Sequence, residues 1–197
     1  PRRNFKKIEV LDGGKRVRVQ PGATVMAVNN MLAPYGYKLG ADPASWSACT
    51  IGGVVANNSS GMSSGTEFNT YNTLESMVFV LPSGTVIDTS APDADARLRA
   101  LEPEIHEGLL RLRKRVVENP ESVARIRQQY SMKNTMGYGV NSLLDYSTPV
   151  DILQHLLIGS EGTLGFVASA TYRTLPILKF VPTRHPNRSW RSTSCWK

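Results

Sequence analysis

The chain has 197 residues, 41% of them apolar and 20% charged, with a formal net charge of +7. That length supports one domain or two small ones around a sizeable core, and no apolar run approaches the roughly 20 residues of a membrane helix. The basicity sits at the ends: residues 1–20 carry +5 and residues 179–197 another +5, which leaves −3 between them, so the charge reads as solvated termini and a nucleic-acid partner is not expected.

Two cysteines, Cys49 and Cys195, lie far apart with neither metal nor disulfide spacing. The basic N-terminus lacks the apolar stretch of a secretory signal. A cytoplasmic location is the expectation.

In chain order, Arg16-Val17-Arg18-Val19-Gln20 alternates polar and apolar, the pattern of a half-exposed strand. Pro21-Gly22 is a turn. Thr24 can cap a helix in which Val25, Val28 and Leu32 recur at helical spacing, and Pro34 and Gly36 end it. The segment GADPASWSACT reads as loop. Met77 to Leu81 is a short apolar strand; Pro82-Ser83-Gly84 turns it and Thr85-Val86-Ile87 returns, a hairpin.

Pro103 to Val117 is helical, with Ile105, Leu109, Leu112 and Val116 in one stripe. Arg111, Arg113, Lys114 and Arg115 around it read as a wet face, and Pro103 suits the first turn. Pro120 separates a second helix, Glu121 to Tyr130. The segment SMKNTMGYGVNSLLDYSTP reads as loop with short turns. Asp151 to Ile158 is a helix closed by Gly159, and Thr163 to Leu175 has strand character. The last segment, VPTRHPNRSWRSTSCWK, has no periodicity and is biased to Arg, Ser and Thr, so disorder is expected there. Strands and helices alternate without a repeat; the fold class is α+β.

Two glycine-rich stretches stand out. In TIGGVVANNSSGMSSG, Thr50 to Gly65, adjacent glycines allow close backbone approach. A short helix beginning just after Gly53, over Val54-Val55-Ala56, would add free N–H groups, suiting a phosphate-bearing ligand. A plain glycine turn with Asn/Ser caps remains open from composition alone. Neither GxxxxGK[ST] nor G-x-G-x-x-G is present. In IGSEGTLGFV, Ile158 to Val167, glycines recur at every third position, 159, 162 and 165, between a helix and a strand; a helix cap followed by a bend is the plain alternative.

Together, DPASWSACTIGGVVANNSSG and the distant GSEGTLGFV resemble the FAD-binding domain of the vanillyl-alcohol oxidase / p-cresol methylhydroxylase type. The nearer branch is that of D-lactate, glycolate and D-2-hydroxyglutarate dehydrogenases, and the resemblance spans about residues 8–180. SGMSSGTEFNTYNTLESMVFVLPSGTVIDT and YSMKNTMGYGVNSLLDY look most like large members that also carry an iron–sulfur part. The resemblance implies a two-lobed domain, a mixed or antiparallel sheet flanked by helices, with FAD extended between the lobes. It implies that Pro43, Ser45, Thr50, Gly52 and Gly53 line the pyrophosphate and flavin edge. Ala56, Asn57, Ser60 and Gly61 would continue along the cofactor, and Glu161, Gly162, Gly165 and Val167 would approach the adenine. Asn134, with Thr135, matches a segment near the flavin.

Three departures shape the expectation. The family's R-G-G-G-T-S-type phosphate loop has no room before Pro21-Gly22-Ala23, the substrate-binding cap domain is absent beyond Pro176, and no ferredoxin-like cysteine run is present. The chain therefore reads as a fragment: residues 1–44 a remnant of the first FAD subdomain, 45–180 the second, and 181–197 an aberrant tail from a frameshift near Lys179. FAD is the expected cofactor, though the fragment need not retain it. The full-length parent would oxidise a small 2-hydroxy acid; the fragment alone is expected to be inactive. Two other readings stay open: a folded remnant without cofactor, and a phosphate- or nucleic-acid-binding module. Self-association through exposed apolar edges is a further expectation.

No catalytic residue is assigned. His106 reads as an exposed helix face, His155 as helix surface or core edge, and His185 lies in the tail. Cys49 reads as a small buried hydrophobe rather than a covalent flavin attachment.

Overall fold

The structure is a computed structural model that describes residues 4–61, 64–135 and 137–178. The expected tail, with His185 and Cys195, lies outside the described residues.

Strand β1, Ile8–Leu11, runs antiparallel to β2, Arg16–Val19. The alternation in β2 behaves as the sequence predicts: Val17 and Val19 are buried while Arg16 and Arg18 face out. Thr24 then caps α1, Val25–Leu32, its Oγ1 accepting the Ala27 N–H at 3.2 Å, and Val25, Val28 and Leu32 form the buried stripe. Gly36 ends this segment in the left-handed region, φ 80°. The short strand β3, Tyr37–Lys38, follows.

Helices α2, Ile51–Ala56, and α3, Thr70–Thr73, precede the hairpin of β4, Leu74–Val80, and β5, Val86–Asp88. Helices α4, Ala94–Leu101, α5, Pro103–Val117, α6, Pro120–Tyr130, α7, Ser142–Asp145, and α8, Pro149–Leu157, come next. The chain returns through β6, Phe166–Arg173, and β7, Leu175–Pro176.

The main sheet has the order β1-β2-β6-β4-β5, with every neighbouring pair antiparallel. Strand β6 is central, so the hairpin at each flank is joined only through the last long strand of the described chain. The sheet unites strands from both sides of residue 44. Val17, Met77, Phe79, Ile87, Ala170 and Tyr172 are buried from the sheet, and α1, α2 and α8 add Val28, Ile51, Val54, Ile152 and Leu157 to the same core. Helices beside an antiparallel sheet make this an α+β fold.

Several local expectations change. Helix α2 begins at Ile51, not after Gly53, so both glycines lie in its first turn. Leu112 is 41% exposed despite its place in the apolar stripe of α5. That helix packs through Ile105, Leu109 and Val116, with α4, α7 and α8 among its neighbours. His106 is buried rather than exposed, its Nε2 lying 3.1 Å from Asp95 Oδ2. The Asp95 carboxylate also accepts the Val150 N–H at 3.0 Å, tying α4, α5 and α8 together. Arg113 is not on a wet face; its Nε donates to the Tyr146 carbonyl at 2.9 Å. His155 is fully buried, and Cys49 is half-buried.

Candidate functional site: a glycine cleft beside a polar cleft

The start of α2 is strapped to the turn before α1. The Ile51 N–H donates to the Ala23 carbonyl at 2.8 Å and the Gly52 N–H to the Pro21 carbonyl at 2.9 Å. The amide of Gly52, one of the residues expected to line the cofactor, therefore serves the fold. The two glycines consequently have different jobs. A Cβ at Gly52 would come within 2.9 Å of Pro21 Cβ, so glycine there permits close packing. At Gly53 a Cβ would meet only Thr50 Oγ1, at 3.8 Å, and the Gly53 N–H has no acceptor among the described residues.

The second glycine stretch docks on the end of this helix. Gly159, at φ 86°, donates its N–H to the Val55 carbonyl at 2.9 Å, and Glu161, at φ 53°, donates its own to the Ala56 carbonyl at 2.9 Å. The left-handed residues reverse the chain after α8, and the two backbone bonds land on the last carbonyls of α2, of which Val55 also accepts the Asn58 N–H at 3.1 Å. Ser160 Oγ donates to the Leu157 carbonyl at 2.9 Å and Thr163 Oγ1 to the Ser160 carbonyl at 2.6 Å, fixing the bend. Gly165 packs as Gly52 does, since a Cβ would lie 2.9 Å from the Val80 carbonyl oxygen.

Between the two stretches lies a cleft of about 210 Å³. Thr50, Gly53 and Ala56 form one side and Gly162, Gly165 and Val167 the other, with Pro21 and Phe166 also lining it. The structure thus brings together seven of the expected residues: these six and Gly52.

The others stand elsewhere. Pro43 and Ser45 shape the loop before α2, their carbonyls accepting from the N–H groups of Trp46 and Cys49 at 2.8 and 2.9 Å. Asn57 is exposed at the helix end. Ser60 is buried with its hydroxyl unpartnered. Gly61 lies flat on Asp42, where a Cβ would overlap the carboxylate; Asp42 Oδ1 is itself buried and unpartnered. Glu161 contributes backbone rather than side chain to the junction. Asn134 lines a different cavity, and Thr135 lines neither.

That second cavity, about 430 Å³, lies on the other side of the same junction: Ala56 lines the glycine cleft and Asn58 the polar one. Asn58 holds a left-handed backbone, φ 45°, and its Oδ1 accepts the Tyr71 N–H at 3.0 Å. Tyr71 in turn donates its hydroxyl to Asp145 Oδ2 at 2.8 Å, and Asn141 Nδ2 donates to the same oxygen at 2.9 Å. Tyr130 lines another wall, its hydroxyl donating to the Tyr138 carbonyl at 2.8 Å. Beneath Tyr71, the His155 ring stacks on Tyr146 at 3.9 Å, and its Nδ1 donates to the Asp151 carbonyl at 2.8 Å.

Burial, with the Asp145 charge second, pushes the Tyr71 hydroxyl well above the ordinary tyrosine range, so it stays a hydrogen-bond donor. Burial also lowers the His155 pKa, outweighing the Asp151 carbonyl and the nearby carboxylates. Neither periodicity nor spacing singles out Asp145 or the full burial of His155. The sequence does carry a signal for Asn58: in Asn57-Asn58 either residue suits the left-handed region.

Sheet and helices make an α+β fold in which two glycine-rich stretches meet at one cleft. Residues 2–90 match the family described as FAD binding domain. Over 176 residues the chain is 27% identical to D-2-hydroxyglutarate dehydrogenase of Haemophilus influenzae, covering 83% of this chain and 17% of that protein. It is 23% identical over 163 residues to D-2-hydroxyglutarate dehydrogenase of Escherichia coli K12, covering 78% of this chain and 15% of that protein. It is 42% identical over 59 residues to glycolate oxidase subunit GlcD of the same strain, covering 29% of this chain and 12% of that subunit. The resemblance read from the sequence is borne out: the chain is related to the FAD-linked oxidases of the D-2-hydroxy acid branch, and FAD is the cofactor of that class. The chain spans less than a fifth of the length of these relatives.

The glycine cleft fits part of such a cofactor. Its open surfaces are Gly53 and Gly162, where a Cβ would meet at most one atom within 4 Å. At about 210 Å³ it is smaller than the roughly 300 Å³ at which drug-sized ligand pockets begin.

Proposed function

We propose that this chain is the FAD-binding portion of a flavin-dependent oxidoreductase whose longer parent oxidises a 2-hydroxy acid. The observation that carries the reading is the convergence of Gly53 and Gly162 on one small-residue cleft, within a chain whose relatives are D-2-hydroxyglutarate dehydrogenases and glycolate oxidase subunits. Thr50, Gly53, Ala56, Gly162, Gly165 and Val167 would hold one section of the cofactor by close backbone approach. FAD, when bound, supplies two-electron redox chemistry; the protein's part is to bind and orient it. Gly53 can offer its N–H, and Thr50 Oγ1, 3.8 Å from the position of a Gly53 Cβ, flanks it.

Pro43, Ser45, Asn57, Ser60, Gly61 and Asn134 belong to this reading as the cofactor's outer path, where it leaves the cleft. The division at residue 44, with 1–44 a remnant of the first subdomain and 45–180 the second, belongs to this reading as a boundary between parts that share one sheet, β2 pairing with β6. We propose further that the isolated chain turns over no substrate, because the relatives extend far beyond the aligned span. A cytoplasmic setting and self-association complete the proposal. No helix among the described residues is long and apolar enough to cross a membrane.

Titrating the purified chain with FAD, followed by flavin fluorescence, tests the reading. Saturable binding that Gly53→Val weakens at least tenfold is the expected result. A folded chain that ignores FAD would overturn it in favour of a remnant without cofactor.

A further inference from the structure

We infer that the polar cleft is a binding site for a hydroxyl-rich group carrying a vicinal diol, of the ribose or ribityl kind. The argument begins with hydrogen-bonding capacity that the fold leaves unused. Asn58 is 8% exposed; its Oδ1 is taken by Tyr71, while its Nδ2 has no acceptor among the described residues. Asn69 likewise spends its Oδ1 on the Asn72 N–H, at 2.9 Å, and keeps its amide nitrogen free among those residues. Asn141 Oδ1 is buried without a donor. Asp145 commits only Oδ2, to Tyr71 and Asn141, and leaves Oδ1 open.

Asn58, Asn69 and Asp145, with amide donors and a carboxylate acceptor to spare, therefore line one cavity of about 430 Å³, while Asn141 Oδ1 lies buried behind its wall. A ligand that satisfies both sets must donate and accept at neighbouring atoms, which adjacent hydroxyls do. A carboxylate reading a diol is a familiar pairing, as when an acidic residue takes a ribose hydroxyl. A phosphate fits poorly: among the described residues lining the cavity Arg127 is the one cation, against the carboxylates of Glu67 and Asp145. The acceptor is also held in place. Tyr71 is a neutral donor locked on Asp145, and it rests against the buried His155 ring, 4.8 Å between centroids.

The diol could belong to the flavin dinucleotide itself or to a free nucleoside or sugar. Chain labelled with ¹⁵N, observed by NMR, separates these sources through the side-chain amides of Asn58, Asn69 and Asn141. Adenosine is expected to shift those signals saturably, while 2′,3′-dideoxyadenosine binds at least tenfold more weakly. Asp145→Asn, which keeps an acceptor for Tyr71, and Glu67→Ala, at an exposed position, should each weaken adenosine severalfold with the fold intact. If FAD moves the same signals at lower concentration, the diol is the cofactor's own. If adenosine moves them and FAD binds nowhere, the cleft stands as a nucleoside or sugar site and only the flavin reading fails. Equal binding of dideoxyadenosine, or no shift with either adenosine or FAD, overturns the inference.

Discussion

The Glu161 N–H donates to the Ala56 carbonyl at 2.9 Å, joining two glycine-rich stretches that lie about a hundred residues apart in the chain. The bond requires the chain to reverse directly after α8, and the left-handed Gly159 and Gly162 make that reversal. Their substitution costs differ. Alanine at Gly162 meets open space, so its cost is the left-handed backbone alone, about 1–2 kcal/mol. Alanine at Gly159 adds a contact 3.0 Å from the Gly137 carbonyl oxygen. Thermal unfolding should therefore rank Gly159→Ala below Gly162→Ala, and Gly162→Ala below wild type. An inverted order would show that the junction is not held as described.

Gly52 and Gly53 should separate stability from binding. Gly53→Ala has room in a helical turn, and replacing helical glycine by alanine gains up to about 1 kcal/mol. Gly52→Ala forces apart α2 and Pro21 and should lower the melting temperature by several degrees, at about 2–4 °C per kcal/mol for a chain of this size. FAD titration of the two variants gives the contrast: Gly53→Ala is expected to be as stable as wild type yet a weaker binder. Unimpaired binding by Gly53→Ala would remove that glycine from the cofactor's path.

Periodic elements were legible because one physical rule governed each. The β2 alternation, the Thr24 cap and the stripe of α1 follow from local side-chain pattern. The start of α2 was not legible, since its first two donors are settled by Ala23 and Pro21, partners outside the helix. The exposure of Leu112 and the burial of His106 depend on where α4 and α8 cover α5, which no periodicity within α5 records. The site divides in the same way. Glycine spacing pointed to the cleft, whereas Asp145, Tyr71 and Asn58 meet only through the fold, and their types fit an ordinary loop equally well.

Tyr172 offers a test of the core. Its hydroxyl is fully buried without a partner, and burial alone pushes its pKa far above the usual range. An unsatisfied buried hydroxyl opposes folding by about 1–3 kcal/mol. Tyr172→Phe should therefore unfold at an equal or higher urea concentration than wild type. Tyr71→Phe, which deletes the donor to Asp145, should unfold earlier. A clear loss of stability in Tyr172→Phe would reveal a partner for that hydroxyl.

The buried His155 should make stability depend on pH. Around the ring are Tyr71, Tyr146, the Asp151 carbonyl and the charges of Asp145 and Asp151. Desolvation dominates, so the folded pKa lies below the unfolded value of about 6.5. Between those two values the unfolded chain holds more protons than the native one, and stability rises with pH. His155 therefore contributes fully above about pH 6.5 and loses its contribution as pH falls through the lowered folded pKa. Urea midpoints should drop from pH 7.5 to pH 5.5, and the drop should shrink in His155→Phe, which keeps a flat ring against Tyr146 but has no proton to gain. An identical drop in that variant would assign the pH response to other groups and leave the imidazole a packing element only.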